Sequence, residues 1–234
     1  MNTQFIGIVG NDKQNTISDL IHYVLNGSGY TTLLVSSNLL MLNQNIIEKS
    51  CISLEDIEKF SKDNDKRVDF FIINNLKMTV LKKLLKKNKI NALLDLKSPD
   101  KNGKIAEEKL MRSIIYRNLK HDGIAIINSD NKDNLCEFTY LRDRIVITYG
   151  LDLRATITTS SVPMRDEVTL ICCLQRGITT LEGEDIEPME FPIKFYYHDQ
   201  FTVNNVLPVI ALALRYGTSV ENLQEILSKY KGRI

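Results

Sequence analysis

An α/β fold built on a mostly parallel sheet is the class that three features of the sequence predict. Up to about residue 150, short apolar runs rich in β-branched residues alternate with longer stretches whose apolar positions recur at helical spacing. Strands joined by crossover helices have this pattern. The runs are apolar at consecutive rather than alternate positions, which suits strands covered on both faces. Beyond Gly150, three strand-like runs follow one another with no helical pattern between them, so an antiparallel edge or a small second sheet is expected there.

The predicted strands of the parallel part are residues 5–9, 31–35, 68–73, 92–94, 124–127 and 145–148, each short and composed of residues that suit a buried sheet. A helix over 16–25 follows the first strand, after Gly10. Ser53, with Asp56 three residues on, opens a helix through Phe60, Asp standing in for the Glu preferred in a capping box. Helical spacing recurs over 78–87 and 105–119. In the first of these, Leu81, Leu84 and Leu85 form the inner stripe, so the lysines at 82, 83, 86 and 87 read as a solvated face rather than an anion-binding patch. The extension holds strands over 154–159, 167–174 and 191–197. Two helices close the chain, a strongly apolar one over 201–216 and another over 220–229, started by Ser219 with Glu221 and Asn222 behind it. No internal repeat or low-complexity linker interrupts the pattern. Residues 1–234 are therefore expected as one unit, with a parallel core over 1–150, a β extension over 151–200 and closing helices over 201–234.

With 234 residues, 43% hydrophobic and 25% charged, the composition is that of a globular protein with a substantial core. Thirty basic residues against 29 acidic ones leave a formal charge of +1, which offers no global field to nucleic acid or an anionic membrane. No apolar run approaches bilayer length and no basic leader precedes the first strand. A cytoplasmic location is expected, with no membrane span and no nucleic-acid partner. Cys51, Cys136, Cys172 and Cys173 form no C-x-x-C pair and accompany three scattered histidines, which argues against a zinc site and against a disulfide framework. They are expected as reduced, mostly buried thiols.

Residues 5–19, FIGIVGNDKQNTISD, have the layout of a phosphate-binding loop: a buried strand, Gly10, then a helix. A working loop of this type needs a second Gly for close backbone approach, a Lys for the phosphate charge and a Ser or Thr hydroxyl for Mg²⁺. Those positions read Lys13, Gln14 and Asn15. Gln14 donates a hydrogen bond without a charge, and a bond to a charged group contributes about 1.5–3 kcal/mol against about 1 kcal/mol for a neutral one. Lys13 stands one position early and replaces the Gly, so it serves the phosphate only if the loop is re-registered.

Three parts of the chain carry a wider resemblance. They are FIGIVGNDKQNTISDLIHYVLNGSGYTTLLVSS, then DGIAIINSDNKDNL with RDRIVITYGLDLRATIT, then FTVNNVLPVIALALRYGTSVENLQEILSKYKGRI. In that order they resemble the central ATPase domain of the Mur ligases, ATP-dependent enzymes that add amino acids to the peptidoglycan precursor. The branch most resembled is UDP-N-acetylmuramyl-tripeptide synthetase. The first part is similar to the family's strand, G-T-N-G-K-T-T loop, helix and second strand. The second is similar to "GGvaViNaDDp" and "vitYGld…dvrAtni", with Tyr149-Gly150-Leu151-Asp152 and Arg154-Ala155-Thr156 the most specific match. The third is similar to the helices that end the central domain. The family's N-terminal domain for the UDP-sugar and C-terminal domain for the incoming amino acid have no counterpart in this sequence.

The resemblance implies ATP and Mg²⁺ as cofactors and a cell-wall ligase, or a second copy of the chain, as partner. It implies nucleotide-binding roles for Gly10, Lys13, Gln14, Asn15, Thr16, Asn128, Asp130 and Asn205. For the last three, a helix or turn cap is the competing reading. Where the family places the Glu of "mEvSSh", the chain reads Ile72-Ile73-Asn74-Asn75-Leu76, with no carboxylate and no His. Where it places "fTNltrDHld", Asp100 is kept and Lys101 replaces the His; an ammonium cannot ligate Mg²⁺, which takes oxygen donors. Lys109, about two positions out of register, is the counterpart of the family's carbamylated Lys. No metal-binding residue is assigned.

The phosphate Lys, the Mg²⁺ hydroxyl, the carboxylate and the His are thus replaced together. The leading expectation is a degenerate Mur-ligase-like protein without ATP-dependent ligation that acts by binding. An active ligase using Lys13 and completed by other domains is the second reading. A non-catalytic sensor of a nucleotide or nucleotide-sugar, using the residues around Asn205, is the third.

Overall fold

A computed structural model describes residues 3–10, 15–63, 67–96, 105–130, 137–160, 167–196 and 203–232. Lys13, Gln14, Asp100, Lys101 and Cys136 lie outside the described residues. The chain runs β1 (Gln4–Val9), α1 (Thr16–Gly27), β2 (Thr32–Val35), β3 (Leu39–Leu42), β4 (Asn45–Glu48), α2 (Leu54–Asp63), β5 (Phe70–Asn74), α3 (Met78–Leu85), β6 (Ile90–Asp95) and α4 (Ile105–Arg117). It continues with β7 (Leu119–Asn128), a 3-10 turn (Glu137–Leu141), β8 (Ile145–Tyr149), β9 (Ile157–Thr159), β10 (Glu167–Leu174), β11 (Ile178–Thr179), β12 (Asp185–Ile186), β13 (Met189–Tyr196), α5 (Val203–Arg215) and α6 (Val220–Lys229).

Eleven of the strands form one sheet in the order β13, β10, β9, β8, β7, β6, β1, β5, β2, β3, β4. The seven from β2 to β9 in that order pair in parallel. Antiparallel pairs close both edges, β3 and β4 at one and β10 and β13 at the other. The antiparallel extension expected after residue 150 therefore continues the main sheet. The β11–β12 ribbon stands apart from it.

Pleating divides the core in two. Ile6 and Ile8 of β1 belong to a cluster with α1, α5 and α6, whereas Val9 packs with residues of α2, α3 and α4 on the other face. Gly7 also points to that second face. A Cβ there would come within 3.0 Å of the Ile115 side chain, so its absence lets α4 lie close against β1. Ten consecutive residues of α5, from Val206 to Arg215, are buried, as its unbroken apolar run predicts. The Ser53–Asp56 capping box also forms: Asp56 Oδ2 accepts from Ser53 N at 2.9 Å and Ser53 Oγ accepts from Asp56 N at 3.1 Å.

Two departures from the sequence reading stand out. The β3–β4 hairpin lies outside the predicted strands; Asn43 makes its turn in the left-handed region at φ 54°, where Asn is tolerated. Strand β7 starts at Leu119 rather than 124. Leu119 pairs with Ile90, and a register shift between Ile90 and Ala92 brings the polar Lys120-His121-Asp122 into the strand.

Among the described residues, no helix is long and apolar enough to cross a membrane, and no group of three or more His, Cys, Asp or Glu side chains is placed to hold a metal. Cys172 and Cys173 are buried, Cys51 is half-buried, and all three are free thiols.

Candidate functional site

In an open parallel sheet, ligands sit beyond the carboxyl ends of the strands, where helix N-termini gather. Here those ends carry Gly10 after β1, Asn74 and Asn75 after β5, Asp95 after β6, and Asn128 with Asp130 after β7. Helix α1 begins at Thr16 beside them. The last turns of α1 and α5 meet, since Tyr30 donates its hydroxyl hydrogen to Tyr216 O (2.9 Å) and Thr218 its own to Ser28 Oγ (2.9 Å). The two helices are of similar length, so the first turn of α5, with Asn205, lies at the same end as Asn15.

Gly10 is fixed by shape. Its φ is +105°, and a Cβ would stand 2.4 Å from the carbonyl oxygen of Leu96. Asn15 precedes α1 in the left-handed region (φ 58°) and makes no side-chain capping bond, unlike most Asn at that position. Its carboxamide is turned to β5 instead. Asn74 Nδ2 donates to Asn15 Oδ1 at 2.8 Å and to Ser18 Oγ at 3.1 Å, and all three residues are buried. The end of β5 is thereby tied directly to the start of α1.

Next along the sheet, Asp95 is fully buried. One carboxylate oxygen accepts from the Arg112 guanidinium of α4 and the other from the Tyr116 hydroxyl, and the Tyr149 hydroxyl donates to the Asp95 carbonyl at 3.2 Å. Burial pushes the Tyr149 phenol up. Arg112 is 4% exposed and also stands 3.9 Å from Glu108. It lines a cleft of about 440 Å³ with Gly10, Ser37, Asn75, Lys77 and Glu108. Lys109, one turn earlier on α4, is exposed. Arg112 is the basic residue of this helix that reaches the strand ends, and its phase with buried Ile115, Tyr116 and Leu119 was the signal for it in the sequence.

Asn128 and Asp130 build a turn. Asn128 Oδ1 accepts from Asp130 N (2.8 Å), and the Asp130 carboxylate accepts from the backbone N–H groups of Leu151 and Asp152 at 3.0–3.1 Å. Gly150 fits against that carboxylate because a Cβ would lie 2.7 Å from Asp130 Oδ1. The Tyr149-Gly150-Leu151-Asp152 motif is thus a loop wrapped around one carboxylate. Asn205 is half-buried in the first turn of α5.

No protein-family model and no curated protein sequence matches the chain. Solved structures do. A UDP-N-acetylmuramoyl-L-alanyl-D-glutamate–2,6-diaminopimelate ligase superimposes with a TM-score of 0.75 at 14% identity, over 100% of this chain and 47% of its own. MurF from Acinetobacter baumannii gives 0.70 at 13% identity over 99% and 47%. MurF ligase from Thermotoga maritima in complex with ADP gives 0.65 at 14% over 99% and 49%. The chain therefore has a fold found in Mur ligases, an α/β fold like their central domain, and spans about half the length of these proteins.

A Mg²⁺ ion bound as the resemblance implies would need oxygen donors from residue 15 and from the segment after β5. The side chains present do not fit it. Asn15 and Asn74 bond to each other, and Asn74 directs its N–H donors at the oxygens of Asn15 and Ser18.

Proposed function

We propose that the protein is a Mur-ligase-like domain, related to the peptidoglycan-precursor ligases, that has lost ATP-dependent ligation and acts by binding. The observation that carries this reading is the Asn74–Asn15 hydrogen bond. In the family pattern, residue 15 is the Mg²⁺ hydroxyl and the segment after β5 supplies the carboxylate; here two neutral amides in contact take the place of a hydroxyl, a metal and an acid. Asp95 supports the same reading, since its carboxylate is engaged by Arg112 and Tyr116 and therefore turned away from any phosphate chemistry. The partner in this reading is another cell-wall ligase or a second copy of this chain.

Hydrolysis of ATP by the purified protein tests the proposal. No Mg²⁺-dependent turnover above a no-protein control is expected. Turnover that falls in a Gln14→Ala or Lys13→Ala variant would instead make the protein an active ligase-type ATPase with a divergent loop. The nucleotide-sensor reading has its own signature, thermal stabilisation by AMP or ADP as large as by ATP.

A further inference from the structure

At the amino ends of the parallel strands, the opposite end of the sheet from Gly10 and Asn15, lies a second group of polar side chains. Asn91 stands near the start of β6, and Lys120 and Asp122 belong to the polar first half of β7. Arg215 ends α5, and Leu181 belongs to the turn between β11 and β12. These residues line a cavity of about 280 Å³. Pockets for drug-sized molecules start at about 300 Å³, so this one suits a small ligand.

Arg215 sets the character of the cavity. It is only 7% exposed, and among the described residues no carboxylate lies within ion-pair distance of it. Nη1 donates to Thr179 O (2.6 Å) and Leu181 N donates to Arg215 O (2.8 Å), so the residue ties the β11–β12 ribbon to the end of α5. That structural role engages one nitrogen of the guanidinium. Nε is buried with no hydrogen-bond partner among the described residues. A buried cation without a counter-ion is costly, and burial pulls this guanidinium below its ordinary pKa. An anion in the cavity would offset both.

Two further donors line the same space. Lys120 forms no ion pair among the described residues. Asn91 Oδ1 accepts from Phe5 N at 2.9 Å, which fixes the carboxamide and leaves its Nδ2 as a donor. Asp122 is the one carboxylate of the lining; it is exposed and pairs with neither cation among the described residues. Donors arriving from β6, β7 and α5 suit the several oxygens of a tetrahedral oxyanion better than the two of a flat carboxylate. The fork of an arginine matches phosphate in particular.

We propose that this cavity binds a phosphate group, as the free ion or as the head of a small monoester, held by the Arg215 guanidinium, the Lys120 ammonium and the Asn91 amide. The site is separate from the strand-end residues and holds whether or not nucleotide binds there.

Calorimetric titration of the full chain with inorganic phosphate, and with acetate at matched ionic strength as the flat anion, tests it. Phosphate is expected to bind saturably and acetate at least about tenfold more weakly. Glycerol 3-phosphate distinguishes the two sources: tighter binding than phosphate assigns the site to a monoester, weaker binding to the free ion. Arg215→Gln and Lys120→Met should each weaken phosphate by about tenfold, the scale of one lost charge-assisted hydrogen bond. Should Arg215→Gln fail to fold, Lys120→Met decides the matter alone. The proposal is overturned by absence of saturable phosphate binding up to millimolar concentration, by equal binding of phosphate and acetate, or by a folded Lys120→Met variant with unchanged phosphate affinity, which would put the ion elsewhere on the protein.

Discussion

At the amino end of α1 the buried polar side chains bond across to β5, whereas along its flank they tie the helix to β2 and the β3–β4 hairpin. Asn74 bonds to both Asn15 and Ser18, and Asp95 is matched by Arg112 and Tyr116. On the flank, His22 Nε2 donates to Asn43 O and Nδ1 accepts from the Thr32 hydroxyl, while Asn26 Oδ1 is buried with no hydrogen-bond partner among the described residues. A group that already has its partner must lose it before it can take a ligand, and each net hydrogen bond is worth about 1 kcal/mol. The strand-end groups are thus bonded within the fold, whereas the Asn26 oxygen has no partner among the described residues.

The largest expected effect comes from breaking the closed side. Asp95→Ala leaves the Arg112 guanidinium buried without its carboxylate and is expected to destabilise the fold by about 3–5 kcal/mol, read by urea unfolding. A change below about 1 kcal/mol would mean that Arg112 finds solvent readily and that the strand-end cluster is open.

On the flank of α1, burial holds the His22 imidazole at about 4, below its usual 6.5. Above about pH 6.5 the ring is neutral folded and unfolded and contributes no pH dependence. Between about 6.5 and 4 the unfolded chain takes up a proton that the folded one refuses, so stability falls with pH, by about 3 kcal/mol in all. A His22→Gln variant should flatten that part of the profile in a series of unfolding curves.

Gly10→Ala forces a side chain into the left-handed region against the Leu96 carbonyl and should lower stability by about 2 kcal/mol or more in thermal unfolding. Asn74→Ala, which removes the bonds to Asn15 Oδ1 and Ser18 Oγ, should lower it by about 1–2 kcal/mol by the same measurement.

The sequence made the central frame readable because its signals are local. The β1–Gly10–α1 unit combines a buried strand, a glycine and an amphipathic helix within about two dozen residues, and the apolar run of α5 has no polar face to confuse it. The β3–β4 hairpin was harder. Its strands are four residues each, β4 is largely exposed, and the Asn43-Gln44 turn lacks the Gly that marks most tight hairpins. The resemblance pointed on α4 to Lys109, which is exposed, and not to Arg112, whose side chain turns inward to Asp95.

The central claim, that the strand ends are closed to Mg²⁺–nucleotide chemistry, is tested most directly by a thermal-shift titration with ATP and ADP, each with and without Mg²⁺. The account predicts that Mg²⁺ leaves every melting curve unchanged. An ATP-induced stabilisation that appears only with Mg²⁺, and is lost in Asn15→Ala, would contradict it.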